Sequence, residues 1–295
     1  MTKHPLFTAY LAFASVCFFW GTTYLGIRVA LESLPPLLLV SVRFLLSGGV
    51  LLIGLRIAGI ALPKGKDLYW TALFGLLVLG VGNSMLTFSE QLIPSSLASL
   101  FIAMSPIWMV GIEAAFPGGE TLTKGTAAGM TMGILGAGLL VGPDVFSQGF
   151  SGNVVRGFLL LQVGSISWGL GSIMQKRHKA EMHPVASAAV QQFAAGLAFL
   201  PFALLERAPA TWDAKGISAL LYLTVFGSIV GYTSYVIALG RLPISIVSLY
   251  TYINPVVAAA LGSLFYREPF GRREVIAMLI IFLGVAIVKR YGQRR

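Results

Sequence analysis

The chain has 295 residues, 56% of them hydrophobic and 11% charged, with a mean hydropathy of +0.82. Soluble domains carry about 25% charged residues, so this composition excludes a water-soluble globule and requires lipid as solvent. The net charge of +10 does not imply a nucleic-acid partner, because the basic residues fall at the ends of apolar stretches rather than in one patch.

A bilayer crossing takes about 20 mainly apolar residues, and the chain offers about ten such stretches, roughly 6–27, 36–57, 68–89, 95–116, 124–142, 155–175, 184–205, 217–239, 244–265 and 273–289. The predicted class is therefore an all-α membrane protein with short loops. The first stretch follows Lys3 and contains small residues from Ala12 to Cys17, which raises a signal-peptide reading. No A-x-A site precedes a polar region, and Val16 is too large for a lipoprotein site before Cys17, so a retained helix fits better. Cys17 is the single cysteine. It permits no intrachain disulfide and no cysteine-based metal site, and reads as a small core residue.

Between the fifth and sixth stretches, Gly142 to Asn153 reads as a turn-rich connector. It divides the chain into halves, 1–145 and 150–295, which repeat each other weakly at an offset of about 148 to 149 residues. Trp20-Gly21 returns as Trp168-Gly169, Pro36 as Pro184, Pro94 as Pro243, Ser99 as Ser248, Pro106 as Pro255, Glu120 as Glu268 and Gly136 as Gly284. Five helices per half is an odd number, so the second half must enter the membrane from the opposite side. The repeat is expected to be inverted, the usual build of a secondary transporter. With the N-terminus in the cytoplasm, the inner face collects Lys3, Arg56, Lys64, Lys66, Lys124, Lys176, Arg177, Lys179, Arg241, Lys289, Arg290, Arg294 and Arg295. Arg267, Arg272 and Arg273 fall on the other side. The balance still favours both termini in the cytoplasm.

In the fifth stretch Gly125, Gly129, Gly133 and Ala137 put small residues on one helix face. They serve either tight packing within a monomer or a weak homodimer contact.

Polar groups at membrane depth carry any chemistry, because each costs free energy unless it is paired or faces water. Arg43 lies seven residues past Pro36, roughly 10 Å along a helix. It either snorkels outward or serves as counter-charge to a carboxylate of the substrate or of the protein. Glu90, four residues before Pro94, is expected at a similar depth and is the candidate partner. Asn83, Thr87 and Glu90 share a helix face by their i, i+4, i+7 spacing. In the second half Gln191 occupies the Arg43 position and Tyr232 the Asn83 position. Ser228, Tyr232 and Tyr235 form a stripe there, Ser245, Ser248, Tyr252 and Pro255 another flanked by Tyr250 and Asn254, and Gln162, Ser165, Trp168, Ser172 and Gln175 a third. Pro106 and Pro255 sit near the middle of the fourth and ninth stretches, either as passive kinks or as gating hinges.

The strings FWGTTYLGIR (19–28), PP with Arg43 seven residues after the second proline, VGN (81–83), Glu90, SWGLGS (167–172) and YINPVVAAALG (252–262) resemble the EamA-type permeases of the drug/metabolite transporter superfamily, in their YedA-like bacterial branch. The resemblance covers nearly the whole chain. It implies a ten-helix inner-membrane fold of two inverted five-helix repeats that exports amino acids or other small metabolites by alternating access. A central cavity is implied as well, onto which Trp20, Asn83, Ser99, Trp168, Tyr232 and Tyr252 map. Thr23, Thr87, Ser165, Tyr235, Ser248 and Asn254 join them as expected substrate contacts, with Arg43, Glu90, Pro106, Pro255 and Gln191 in coupling or gating. A small-molecule substrate and the bilayer are the expected partners and a proton is a candidate coupling ion, although no acidic cluster lies deep in the membrane. No cofactor or metal is expected.

An enzyme is the rival class, but no P-loop, HExxH or GxSxG motif occurs. His4, His178 and His183 all fall at helix ends or loops. Efflux of cationic drugs and a channel-like facilitator remain alternatives, since polar stripes line a pore as well as a carrier.

Overall fold

The computed structural model describes residues 5–117, 123–148, 152–178, 182–206, 208–242, 244–247, 250–268 and 270–292. Glu120 and Ser248 lie outside them. Every regular element among the described residues is helical. The first half contributes α1 (Pro5–Ala30), α2 (Pro36–Ile57), α3 (Gly65–Glu90), α4 (Ser95–Ala115) and α5 (Lys124–Gln148). The second contributes α6 (Asn153–Arg177), α7 (Pro184–Leu205), α8 (Ala214–Arg241), α9 (Tyr250–Tyr266) and α10 (Arg272–Gly292), with a single helical turn at Ile244–Val247 before α9. Among the described residues seven helices, α1 to α4 and α6 to α8, are long and apolar enough to cross a membrane. Phe18, Ile53, Leu204 and Leu264 point outward, each more than 60% exposed. Apolar side chains on the outside and serines inside are what a lipid solvent selects.

Pro36 and Pro184 each begin a helix, where the missing N–H has no intrahelical partner to lose. The expected connector is a different case. Helix α5 runs on through Pro143 to Gln148, so most of the segment from Gly142 is helical rather than turn. A proline keeps a helical φ and forfeits one hydrogen bond without forcing the chain to stop.

The packing exchanges partners between the halves. Helix α1 lies on α8 and α9 of the second half, and α6 lies on α3 and α4 of the first. The helices in equivalent sequence positions, α2 with α7 and α5 with α10, pack along one another. Gly48 abuts Phe193 while Gly196 abuts Leu45 and Ser41, so α2 and α7 run antiparallel. Gly125 meets Tyr291 and Gly136 meets Ile281, which gives α5 and α10 the same relation. The small-residue face of α5 is thus used inside the chain. Close approach of backbones replaces the hydrophobic drive that is missing between helices in lipid.

Two irregularities shape the interior. The π-helical segments Leu76–Gly82 in α3 and Leu223–Tyr232 in α8 occupy matching places in the two halves and end next to Asn83 and at Tyr232. Such wide turns aim side chains that a regular helix would not. Helix α4 breaks between Ile102 and Ser105, one turn before Pro106, whose ring excludes the carbonyl four residues earlier. That carbonyl, Ile102 O, accepts instead from Ser105 Oγ at 2.7 Å. Pro255 stays inside a continuous α9.

An alanine Cβ at Gly48 would sit 2.4 Å from the Phe193 backbone nitrogen, whereas one at Gly49 meets nothing within 4 Å. Gly48→Ala should therefore cost about 1–3 kcal/mol through overpacking, read as a lower melting temperature of the detergent-solubilised protein. Gly49→Ala should leave it unchanged or slightly raise it.

Candidate functional site

A cavity of about 80 Å³ sits where α1, α3, α6 and α8 converge, with α2, α4 and α9 closing its sides. That is room for several waters at about 10–15 Å³ each. Its aromatic side is Trp20, Trp168, Tyr232 and Tyr250, and its aliphatic side Leu79, Leu86, Ile102 and Leu161. Polar groups are few: Thr23, Tyr24, Arg43, Asn83, Ser105, Ser165 and Asn254.

The tryptophans are set by backbone. A Cβ on Gly231 would come within 2.6 Å of Trp20 Nε1, and one on Gly82 within 3.1 Å of Trp168 Cε3. Each indole therefore rests on a glycine of a π segment in the other half. Trp20 Nε1 donates to Gly227 O at 3.0 Å. The two rings meet edge to face with centroids 5.4 Å apart, a favoured aromatic geometry. Trp168 Nε1 donates to Tyr235 Oη at 3.2 Å, and Tyr235 Oη shares a 2.8 Å hydrogen bond with Ser172 Oγ. Tyr232 donates to Gln191 Oε1 at 2.5 Å, and Gln191 Nε2 donates to Ser187 Oγ at 2.8 Å.

Arg43 is buried. Its Nε donates to Ser228 Oγ at 2.7 Å, Nη1 reaches Asn83 Oδ1 at 3.4 Å, and the guanidinium carbon stands 5.0 Å from the Phe44 ring centroid. The expected pairing with Glu90 is not made. Asn83, which Arg43 touches, precedes Glu90 by seven residues on the same helix, about 10 Å along the axis. Glu90 is fully buried, its carboxylate has no hydrogen bond among the described residues, and its charged neighbours are Arg28 and Glu268. Arg28 itself donates to the Glu90 backbone carbonyl at 2.7 Å. Glu268 accepts from the backbone N–H groups of Ser95 and Ser96, both at 2.9 Å, and so caps α4 across the chain. Further out, Lys215 pairs with Glu32 and holds its carboxyl below the usual range, with a Tyr266 hydrogen bond assisting.

Of the residues singled out from sequence, Trp20, Thr23, Arg43, Asn83, Ser165, Trp168, Tyr232 and Asn254 line the cavity, and Tyr235 and Gln191 stand behind its aromatic wall. Ser99 and Thr87 are turned to their own helix, onto Ser96 O and Asn83 O. Tyr252 faces α10, its ring 5.1 Å from Phe282. Tyr24 and Ser105 also line the cavity. Tyr24 lies four residues after Trp20, so helical spacing alone would have placed it on that face.

A second cavity of about 500 Å³ lies at the start of α3 and α7 and the end of α6 and α8, lined by Thr71, Gln175, Lys176, His178, Ser187 and Arg241 among others. Lys176 Nζ donates to Leu239 O and Leu242 O, each at 3.0 Å, and so ties α6 to the end of α8.

These features describe a polytopic helical protein whose halves exchange packing partners around a small central cavity. The chain belongs to the EamA-like transporter family, which matches it twice, over residues 7–142 and 155–290, and it is a membrane transporter of the drug/metabolite superfamily. It is 34% identical over 287 residues to the inner membrane transporter YedA of Escherichia coli K12, covering 96% of this chain and 90% of that one. It is 27% identical over 281 residues to a probable amino-acid metabolite efflux pump of Salmonella typhimurium, with 91% and 90% covered, and 27% identical to the protein PecM of Dickeya dadantii, with 94% and 91% covered. A solved crystal structure shares the fold, with a TM-score of 0.72 at 21% identity over 97% of this chain and 99% of that one.

Tyr232→Phe leaves Gln191 Oε1 buried without its donor, a loss of about 1–3 kcal/mol. Removing both polar groups, in Tyr232→Phe with Gln191→Leu, should cost less than the sum of the two single changes. A double-mutant cycle on thermal stability is expected to give a coupling of at least about 0.5 kcal/mol.

Proposed function

We propose that this protein is a secondary transporter of the bacterial inner membrane that exports small metabolites, amino acids or compounds like them, by alternating access. The observation that carries the reading is the position of the central cavity, which lies between two layers of contacts. On one side stand the Trp168–Tyr235–Ser172 and Tyr232–Gln191 hydrogen bonds, with Val236, next to Tyr235, already lining the second cavity. On the other stand the Arg28 contact to Glu90, the Glu268 cap on α4 and the Glu32–Lys215 pair. A central site with a layer of contacts at each end suits a carrier better than an open pore.

In this reading α5, α9 and α10 join the seven long apolar helices as ten crossings, and residues 1–145 and 150–295 form inverted repeats. The antiparallel packing of α2 on α7 and of α5 on α10, which hold equivalent places in the halves, supports that arrangement. The excess of basic residues at one set of helix ends supports cytoplasmic termini. The second cavity is then a cytoplasmic vestibule, through which solute approaches the aromatic layer. The break before Pro106 is a hinge between the two parts of α4, and Pro255 plays the matching part in α9.

The cavity's size and its mix of aromatic, hydroxyl and amide groups support a small solute with an apolar part. A name such as that of the Salmonella typhimurium relative, a probable amino-acid metabolite efflux pump, supports the same class. The wall of Trp20, Trp168 and Tyr250 also suits a quaternary cation, which keeps cationic drug efflux as the second reading.

Counterflow separates carrier from pore. Vesicles preloaded with unlabelled solute should take up labelled solute several-fold faster than empty ones, and equal rates would contradict a carrier. In a Cys17→Ala background, a cysteine at Gln148 should label from the periplasm and one at Arg241 from the cytoplasm. Labelling of both from one side would remove the proposed topology.

A further inference from the structure

We propose that Arg43 is the anchor for a carboxylate on the transported solute, an inference that rests on the transporter reading. Arg43 is 6% exposed, lines the central cavity, and is paired with no carboxylate among the described residues. Its partners are neutral. Ser228 takes Nε, and Asn83 reaches Nη1 only at 3.4 Å. Nη2 has no acceptor among the described residues and lies against Gly227, where a Cβ would stand 2.7 Å from it. Glycine at that position keeps the end of the fork uncovered.

The equivalent pair in the second half is the control that the fold itself supplies. Gln191 and Tyr232 occupy the places of Arg43 and Asn83 and close on each other at 2.5 Å. One pair is satisfied within the protein, and the other is a fixed charge with a loose neutral neighbour. A guanidinium does not give up its proton, and an unpaired buried cation costs several kcal/mol. The Nη1 and Nη2 edge presents two parallel donors at carboxylate spacing. Among the described residues Arg43 is the one cation lining this cavity, so the fitting ligand carries a single anionic group, a carboxylate rather than a doubly charged phosphate.

The rest of the cavity narrows the class. Asn254 is 2% exposed, lines the cavity, and its Oδ1 has no donor among the described residues. It is an acceptor for an N–H of the ligand. Leu79, Leu86 and Leu161 beside Trp168 offer room for an apolar side chain. A zwitterionic α-amino acid with an apolar side chain satisfies all three features.

The test uses the full chain, purified and reconstituted in vesicles, with leucine, phenylalanine and methionine, their amides, which lack the carboxylate, and their deaminated acids, which lack the ammonium. Binding is read by quenching of tryptophan fluorescence and transport by counterflow. The wild type should bind the amino acids about tenfold or more tightly than the amides, as expected for losing a charge-assisted hydrogen-bonded pair worth about 1.5–3 kcal/mol. Arg43→Gln, which installs the side chain that the second half already carries, should abolish that preference with little change in affinity for the amides. Arg43→Lys keeps the charge without the fork and should lose amino-acid affinity several-fold, which preserves the test if the glutamine variant does not fold. Equal binding of amino acids and amides by the wild type, no binding of any acid in the panel, or an unchanged preference in Arg43→Gln would overturn the anchor. Counterflow of a quaternary ammonium compound in place of the acids would overturn it and leave the transporter standing. Arg43-dependent binding of amino acids without counterflow would support the anchor and remove transport.

Discussion

Two tryptophans lying on two glycines hold this molecule together at its centre. Trp20 of α1 rests on Gly231 of α8, and Trp168 of α6 rests on Gly82 of α3, so each half grips the other through the same contact. No other residue than glycine leaves an indole room this close to a helix backbone. The contact in turn explains the π segments, because both glycines belong to them and the wider turn leaves Gly227 O positioned for the Trp20 N–H. The edge-to-face meeting of the two indoles then forms the wall against which a solute would rest. Removing either glycine would press the indole out of the interface and move wall and cavity together.

Around that centre the halves differ in charge while agreeing in shape. Arg43 with Asn83 on one side corresponds to Gln191 with Tyr232 on the other. Equivalent backbone positions thus hold a charge with neutral partners in one half and a neutral hydrogen bond in the other. Duplication supplies two similar scaffolds, and a few side chains make their ends unlike, so that the cavity has a direction. Glu90 and Arg28 add to the asymmetry at the end away from the tyrosines, where Glu268 caps α4 from the far side of the bundle.

The helical class and the doubling of the chain are legible because hydropathy and the offset between the repeats are properties of long segments; seven described helices are long and apolar enough to cross a membrane, and the family model matches twice. The stretches expected at 36–57 and 184–205 coincide with α2 and α7, both begun by proline. Azimuth was harder to read. Distance to a proline places Arg43 and Glu90 at one depth, yet the guanidinium lies at the level of Asn83, because depth along one helix says nothing of where a long side chain ends. Tyr252 follows the helical spacing of its stripe but turns to Phe282, since the α10 surface beside it is apolar and close. The π segments escaped because no residue type demands them; the hint was the glycine pair at Gly82 and Gly231, which recurs at the repeat offset. The segment from Gly142 to Gln148 is helical despite its turn-forming composition for a related reason, since Gly, Pro and Ser are tolerated in a helix whose neighbours and environment keep its backbone bonds in place.

Alternating access to the central cavity is the claim on which the functional account turns, and it is tested most directly by the reach of a reagent from each side. Ser165 lines the cavity and contacts Ser105 Oγ at 3.0 Å, so a cysteine there is a small change. With Cys17 replaced by alanine, a membrane-impermeant thiol reagent should modify Ser165→Cys from either face, at rates that a transported solute lowers from both. Modification from only one face under every condition, or rates that no solute alters, would contradict a central site that opens in turn to the two sides.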